Sequence, residues 1–241
     1  MIDLHAHINK KEAEEIEALL RDMDLYGVRK RVISTLSPEP ILDNIKFIEE
    51  CVKNHPDKLI GCAVINPKLP SSLNDIKYAL NSKEIAMIEF NPVEHAYFPD
   101  FNDNLPIIID EINKKGLPIK IFTGIGCFGI PQQWEQYIEM YPDTKFIFLH
   151  MGCFDYGYTC IDVVARHKNA YVELSNQYEL QILRKAFSLL ENKKILFGTT
   201  YPERLTTSTL RVLDAVDIEQ EKKDNIYFKN NNEILIGGEY T

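Results

Sequence analysis

Basic side chains are in deficit in this 241-residue sequence, which holds 27 lysines and arginines against 36 aspartates and glutamates. The formal net charge is −9. Because phosphate binding requires a basic face, this deficit argues against nucleic acid as the main partner. Long apolar runs are also missing. None approaches the roughly 20 residues that span a bilayer, so we expect no membrane segment.

Cysteine is sparse and scattered. The five cysteines form an odd set without Cys-x-x-Cys spacing, which predicts reduced thiols and a cytoplasmic protein. Cys127 and Cys153 lie in the loops predicted after the fifth and sixth strands, where a thiolate could act as a ligand or a nucleophile. A buried, inert thiol is the more common role of such a residue.

The sequence also lacks internal repeats, low-complexity segments and linkers. No glycine-rich nucleotide-binding loop follows an early strand, and the glycines of Thr123–Ile130 favour a flexible loop instead. Hydrophobic residues make up 45% of the chain, which is enough for one sizeable core. We therefore expect a single domain over residues 1–241.

Short apolar runs alternate with longer amphipathic stretches along the whole sequence. One helical stretch carries Leu105, Ile108, Ile109 and Ile112 at the i, i+3, i+4 and i+7 positions. The runs predict eight strands, one in the first nine residues and the others at Arg31–Leu36, Leu59–Ile65, Ile85–Phe90, Pro118–Phe122, Lys145–Leu149, Ala170–Leu174 and Lys194–Phe197. Eight such units favour an α/β fold that closes into a (β/α)₈ TIM barrel over an open, doubly wound sheet.

The first strand ends in a His-x-His pair, His5 and His7. Residues two apart on a strand point to the same side, so both imidazoles aim at one point. Two neutral imidazoles on a rigid strand are oriented metal ligands. On its own the motif is weak, because two ordinary histidines near a terminus would look the same.

In a (β/α)₈ barrel the active site is built at the carboxyl ends of the strands. Polar residues at the predicted ends are His5, His7, Glu89, Asn91, His150, Glu173, Thr199 and Thr200. The three histidines could together hold one zinc-like ion and leave a position for water. Such an ion lowers the pKa of its water to roughly 7 and polarises a substrate carbonyl.

Five strings in the sequence resemble the metal-dependent amidohydrolase superfamily, in its branch of short barrels that includes nonoxidative decarboxylases. They occur in the family's order over nearly the whole chain: Asp3-Leu4-His5-Ala6-His7, Ile65-Asn66-Pro67, Gly116-Leu117-Pro118, Leu149-His150-Met151-Gly152 and Leu196-Phe197-Gly198-Thr199-Thr200-Tyr201-Pro202. The resemblance implies a metal-dependent barrel in which His5 and His7 are ligands on the first strand and His150 is the histidine of the sixth.

Two positions depart from the family pattern. Phe122 stands where the family usually has a fifth-strand histidine, and Thr200 stands where it has an eighth-strand aspartate. That aspartate is usually a metal ligand and the general base for the attacking water. Phenylalanine cannot coordinate a metal, and a threonine hydroxyl is a poor base near pH 7. The inherited apparatus for activating water is therefore incomplete.

Glu89 has two interpretations of comparable weight. It could serve as a fourth ligand or proton acceptor beside His5 and His7. It could also form a buried ion pair with a barrel-interior lysine such as Lys120, with no chemistry. We expect His150 and Glu89 to act in catalysis, and we expect Asn91, Phe122, Thr200 and Tyr201 to contact the substrate.

Two further residues are weaker candidates. His95, in the long loop after the fourth strand, could replace the missing histidine, although a surface histidine is the more common case. Glu173 occupies a position that is often acidic in the family and could be structural.

Two functions follow from these residues. The first is a metal-dependent enzyme that acts on a small amide, ester, lactone or carboxylated substrate, as a hydrolase or a carbon–carbon lyase, with at most one divalent ion, expected to be zinc. The second is a catalytically degenerate barrel that binds a small molecule or a partner protein at its mouth. The three retained histidines favour the enzyme. A homodimer is compatible with either.

Overall fold

Eight parallel strands form one sheet in sequential order, as shown by a computed structural model that describes residues 1–9 and 13–235. The strands are β1 (Ile2–His7), β2 (Lys30–Ser34), β3 (Leu59–Val64), β4 (Ile85–Phe90), β5 (Ile119–Phe122), β6 (Phe146–Leu149), β7 (Ala170–Glu173) and β8 (Ile195–Leu196). All eight predicted strands are found. The predicted (β/α)₈ barrel is confirmed.

Hydrogen bonds between β1 and the chain beyond β8 close the barrel. The Leu4 N–H donates to the Phe197 carbonyl at 3.0 Å, and the Thr200 N–H donates to the His5 carbonyl at 2.8 Å. An isolated parallel bridge joins Ala6 to Tyr201. The chain after β8 therefore lies against the strand that carries the His-x-His pair.

Helices alternate with the strands: α1 (Ala13–Tyr26), α2 (Ile41–Asn54), α3 (Ser72–Asn81), α4 (Asn104–Lys115), α5 (Glu135–Met140), α6 (Cys153–Arg166), α7 (Leu180–Leu189), α8 (Thr206–Ala215), α9 (Gln220–Asp224) and α10 (Asn230–Leu235). The four apolar residues predicted on one face of α4 are all fully buried. None of the helices in residues 1–9 and 13–235 has the length and apolar character to cross a membrane.

The buried apolar side chains form two clusters. The larger one packs the helices against the outside of the barrel. The smaller one fills the barrel interior and includes Ile2, Leu4, Val32, Cys62, Met87, Ile147 and Leu196, with Ile234 and Leu235 of α10. Every strand thus has an inner and an outer face.

The register of β1 shifts between Asp3 and Ala6, a β-bulge that sets the direction of both histidines. Before it, Ile2 and Leu4 belong to the interior cluster. After it, Ile8 belongs to the outer cluster, so the residues of odd number now face inward. Without the shift, strict alternation would place His5 outside the barrel with Asp3. The period-two prediction of a shared direction was right, but the bulge determines which side that is.

Candidate metal centre and active site

The structure brings His5 and His7 of β1 together with Glu89 of β4. Each offers a ligand atom, and these atoms lie within 4.8 Å of one another. His5 Nδ1 is 3.8 Å from Glu89 Oε2, and His7 Nε2 is 3.9 Å from Glu89 Oε1. His5 and Glu89 are fully buried and His7 is nearly so. The cluster lies at the carboxyl ends of the strands, where barrels hold their active sites.

Three polar atoms of this cluster are buried without a hydrogen-bond partner among the described residues: His5 Nε2, His7 Nε2 and Glu89 Oε1. Buried polar atoms nearly always have a hydrogen-bond partner, so three atoms without one in a single cluster require an explanation. Two imidazole nitrogens and a carboxylate oxygen form a donor set that suits Zn²⁺ or Mn²⁺. The residues present therefore fit a divalent metal ion.

The orientation of His7 is fixed by Glu203, in the loop after β8. His7 Nδ1 lies 3.0 Å from Glu203 Oε1. If Nδ1 donates its proton to this carboxylate, the lone pair of Nε2 faces Glu89, which is the arrangement common among metal-binding histidines. Burial works against the charged imidazole, but the hydrogen bond to Glu203 and the negative charges of Glu203 and Glu89 raise the pKa of His7 to about 9. Metal binding would therefore have to displace a proton.

Glu89 forms the ion pair with Lys120 that one interpretation of the sequence anticipated. Lys120 Nζ lies 3.0 Å from Glu89 Oε2, and both side chains are buried. Ser34 Oγ donates to the same oxygen at 3.1 Å. Burial would raise the pKa of Glu89, but the Lys120 ammonium holds it well below its usual range. Glu89 is therefore an ionised, well-held carboxylate and a weak proton acceptor.

Lys120 also reaches His5, since its Nζ lies 3.2 Å from His5 Nδ1. Burial and the Lys120 charge lower the pKa of His5 well below its usual range, so its imidazole is neutral. One ammonium thus lies against two of the three ligand residues. The two interpretations of Glu89 are not exclusive, because the same carboxylate faces both the histidines and the lysine.

His150 lies beside the cluster but is not one of the residues whose ligand atoms lie within 4.8 Å of one another. Its ring centre is 5.2 Å from that of His5. Its Nδ1 is 3.0 Å from Ser175 Oγ, and burial lowers its pKa to about 4. Its backbone N–H donates to Glu173, which also accepts the Ser175 hydroxyl at 2.7 Å. Glu173 therefore holds the His150 and Ser175 positions, as its structural interpretation predicted, and a role for His150 as a ligand stays a prediction.

The two altered family positions both lie next to His150. The Phe122 ring, half-buried at the end of β5, stands edge-on at 5.0 Å between ring centres. Thr200 Oγ1 donates to Ser175 Oγ at 2.6 Å. Thr200 has a φ of 56°, a left-handed conformation that disfavours β-branched residues and is enriched in aspartate and asparagine. The backbone at this position is therefore suited to the aspartate that the family carries.

Other candidates from the sequence make their recorded contacts outside the cluster. Asn91 Oδ1 accepts the Glu94 N–H at 3.0 Å and so stabilises its own loop. Tyr201 packs on the Arg31 guanidinium, 5.0 Å from the ring centre. Cys127 is exposed. Cys153 was expected in a loop but begins α6, and burial raises the pKa of its thiol, which suits an inert cysteine. Contacts of Asn91 and Tyr201 with a substrate stay predictions.

Two carboxylates that support the histidines were not identified from the sequence. Glu203 follows the Gly-Thr-Thr-Tyr-Pro string, and only closure of the barrel brings it to His7. Asp3 accepts the N–H of His5 at 3.1 Å, within the bulge. Asp3 stands two residues before the His-x-His pair, and this proximity in the sequence was the available sign of its role. In a regular strand, however, its side chain would not be expected to reach the His5 N–H.

This site at the mouth of a (β/α)₈ barrel is of the kind found in metal-dependent hydrolases and lyases. The family model for amidohydrolases matches residues 2–230, so the chain belongs to the amidohydrolase family. The resemblance drawn from the five strings is thereby confirmed. Among curated proteins, none matches the sequence significantly.

Solved structures with the same fold include three enzymes of low sequence identity. 5-Carboxyvanillate decarboxylase LigW from Sphingomonas paucimobilis is 14% identical, with a TM-score of 0.73 and 98% of each chain covered. 4-Oxalomesaconate hydratase LigJ from Rhodopseudomonas palustris is 16% identical, with a TM-score of 0.74 over 98% of this chain and 95% of the other. A dihydroxybenzoic acid decarboxylase from Polaromonas sp. JS666, solved with bound manganese, is 14% identical, with a TM-score of 0.70 over 98% and 96%.

Proposed function

We propose that this protein is a metal-dependent enzyme of the amidohydrolase family that acts on a small substrate bearing a carbonyl or carboxylate group. The observation that carries the proposal is the set of three buried, unpartnered atoms on His5, His7 and Glu89. Leaving such atoms unsatisfied costs free energy, roughly 1–3 kcal/mol each. A cation that they share would remove that cost.

His5, His7 and Glu89 would hold one divalent ion. The ion would supply Lewis acidity toward a substrate oxygen. Glu203 orients His7, and the Lys120 ammonium keeps Glu89 ionised. Phe122 and His150 form an aromatic wall beside the cluster at the ends of β5 and β6, which suits a planar or apolar part of a substrate.

The lack of a free general base beside the histidines favours a carbon–carbon lyase over a hydrolase. The two carboxylates nearest the histidines are engaged, Glu89 with Lys120 and Glu203 with His7. The Thr200 hydroxyl donates to Ser175 and is a poor base. A lyase that breaks a carbon–carbon bond and releases CO₂ needs no carboxylate to activate water, and the proton that replaces CO₂ on the carbon would come from solvent. The decarboxylases among the structural neighbours support this choice through the fold they share.

The alternative is a degenerate barrel that binds a small molecule or partner protein without catalysis. It is favoured by the Lys120 ammonium, which lies within 3.2 Å of both His5 and Glu89 and so already supplies a positive charge to the cluster. The two alternatives differ in whether a metal ion binds.

Metal analysis of protein purified without chelator decides between them. We expect at most one divalent ion per chain, together with a rise in melting temperature on adding Mn²⁺ or Zn²⁺. His7→Ala should abolish that rise while the barrel stays folded, because the residue lies at the functional end of the barrel. His167→Ala, beyond α6, is the matched control and should keep it. Wild-type protein without any metal response would favour the non-catalytic barrel, and two tightly held ions would contradict a single site.

A further inference from the structure

A cleft lies beside the metal cluster, on the same end of the barrel, and we call it the second cleft to distinguish it from the site of the cluster itself. Its volume is about 370 Å³. It is formed by the loop after β2, the first turn of α2, the end of β3 and the loop after β4. Residues of different character line it, among them Thr35, Glu39, Asn44, Leu69, Glu94 and His95.

The cleft adjoins the cluster through β2 and β3. Thr35 directly follows Ser34, whose hydroxyl donates to Glu89 Oε2 at 3.1 Å. Val64, another residue of the wall, pairs with Glu89 in the register of β3 and β4. The wall of the cleft is therefore built in part from residues that adjoin those of the cluster in the sequence and in the sheet.

Asn44, one of the residues that line the cleft, carries an unused hydrogen-bond acceptor. Its side chain is almost completely buried, at 5% exposure. Its Nδ2 donates to the carbonyls of Ser37 at 2.8 Å and Glu39 at 3.3 Å, which fixes the orientation of the amide. Its Oδ1 is buried and has no partner within the described part of the chain. A buried acceptor of this kind favours a ligand that brings a hydrogen-bond donor.

The charged groups of the cleft point to the same kind of ligand. Glu39 and Glu94 both line it, and the described residues contribute no lysine or arginine to its walls. Burial, and to a smaller extent the charge of Lys68, lower the pKa of His95 to about 4, so this histidine is neutral near pH 7. The remaining walls are apolar, with Pro38, Val64 and Leu69. Carboxylates and an amide oxygen above apolar walls suit a cation on an aliphatic stem.

We propose that this cleft binds the distal end of the substrate and selects an organic ammonium group carried on a short aliphatic stem. That the bound molecule is the substrate of the enzyme rests on the proposed function. The preference for a cation follows from the residues that line the cleft. An anionic group would be repelled by Glu39 and Glu94. A neutral amide could donate hydrogen bonds to Asn44 and to the carboxylates, but without a positive charge it would gain less from Glu39 and Glu94 than an ammonium group.

The test compares three probes of equal length at pH 7 and equal ionic strength: n-pentylammonium, pentanamide and pentanoate. Binding to metal-free protein is measured by NMR titration, since ligands of this size bind at roughly millimolar concentration. We expect pentylammonium to bind about tenfold more tightly than pentanoate. Glu39→Gln and Glu94→Gln should each weaken pentylammonium binding about threefold, and the double variant about tenfold. Glu139→Gln, on the exposed side of α5, is the control and should leave it unchanged.

Two results would overturn the inference. One is pentanoate binding as tightly as pentylammonium. The other is pentylammonium binding that survives unchanged in the double variant, since the amine would then lie elsewhere. The use of metal-free protein separates this test from that of the proposed function. Protein that prefers the amine but binds no metal supports the cleft alone, whereas protein that binds metal without preferring the amine supports the enzyme alone.

Discussion

Asp3 Oδ1 accepts the backbone N–H of His5 at 3.1 Å, within the bulge that turns His5 into the barrel. The same oxygen accepts the Thr199 N–H at 3.1 Å, and Oδ2 accepts the Thr199 hydroxyl at 2.6 Å and Arg31 Nε at 2.8 Å. Four donors from three segments thus meet on one buried carboxylate. Asp3 joins the bulge of β1 to β2 and to the chain after β8, and we regard it as the residue that positions His5.

Asp3→Asn should weaken metal binding as well as the fold. The amide presents a donor where the carboxylate accepts, and it leaves Arg31 with less compensation. We expect a loss of about 3–5 kcal/mol in the free energy of unfolding, as for other broken buried ion pairs. We also expect metal affinity to fall about tenfold or more, as it does when residues that orient ligands are changed. Denaturant unfolding and calorimetric metal titration measure the two effects.

Asp22→Asn separates positioning from stability. Asp22 binds Arg31 Nη2 at 2.8 Å and Thr206 Oγ1 at 2.6 Å, but it does not contact the bulge. It should destabilise the protein and leave the metal affinity of the folded molecule unchanged. Equal metal affinity in the two variants would show that Asp3 is only structural.

The sequence predicted the barrel because each of its strands and helices has a pattern that is recognisable over a few neighbouring residues. Apolar runs, amphipathic helices such as α4, and Gly116 with its φ of 70° at the end of that helix are each visible over a few residues. The His-x-His pair and the direction it shares were visible in the same way. The predicted ends of the strands were less accurate, since β2 ends at Ser34 and was predicted to end at Leu36. The residues after Ser34 form a loop that lines the second cleft.

Apart from the ion pair of Glu89 with Lys120, the sequence could not show the contacts between distant segments that build the site. Glu203 reaches His7 across 196 positions, and Lys120 reaches His5 across 115. Both contacts depend on barrel closure and on the strand register, which periodicity does not encode. The bulge in β1 is similarly invisible, because an extra residue in a strand leaves the pattern of apolar residues on each side looking regular.

Lys120→Met should strengthen metal binding. The ammonium lies 3.0 Å from Glu89 and 3.2 Å from His5, so it competes with a metal ion for the same groups and repels its charge. Removing a unit charge a few ångströms away should raise the affinity for Mn²⁺ by roughly tenfold or more. The metal-free variant should lose about 3–5 kcal/mol of stability, because Glu89 is left buried and uncompensated. Calorimetric titration and melts with and without Mn²⁺ test both effects.

Lys194→Met is the matched control for Lys120→Met. Lys194 is also buried, but it binds the carbonyls of Val164 and His167 at the opposite end of the barrel. Its removal should cost stability without changing metal affinity. If Lys120→Met instead weakens metal binding, the lysine holds Glu89 and His5 in the binding geometry and does not compete with the ion.

The stability of the metal-free protein should fall in acid, partly through His95. Burial, opposed by Glu89 and assisted by Lys68, lowers the pKa of His95 from 6.5 to about 4. A histidine whose pKa is lower in the folded protein binds its proton more tightly in the unfolded protein, so protonation favours unfolding. This loss of stability is absent above pH 6.5 and grows as the pH falls toward 4. His95→Gln, which cannot be protonated, should therefore be more stable relative to wild type at pH 5 than at pH 8. Urea unfolding at both pH values measures this difference, and an unchanged difference would contradict it.

Restoring the two family residues tests whether Phe122 and Thr200 occupy ligand positions. In Phe122→His with Thr200→Asp, one imidazole and one carboxylate would face the space beside His150. The left-handed backbone at Thr200 suits aspartate better than threonine, so that substitution should be tolerated. Phe122→His removes apolar packing and adds buried polarity, and we expect a cost of about 2–4 kcal/mol.

Metal binding should recover part of that cost, because an ion that binds only the folded state stabilises it in proportion to its affinity. Thermal melts with and without Zn²⁺, beside the parent protein, should show a larger metal-dependent rise in the double variant. Phe122→His with Thr200→Asn is the matched control, because asparagine shares the backbone preference of aspartate but lacks its charge. It should show a smaller rise. If zinc makes no difference to the aspartate variant, these two positions do not face the metal cluster, and the resemblance at the ends of β5 and β8 does not extend to ligand geometry.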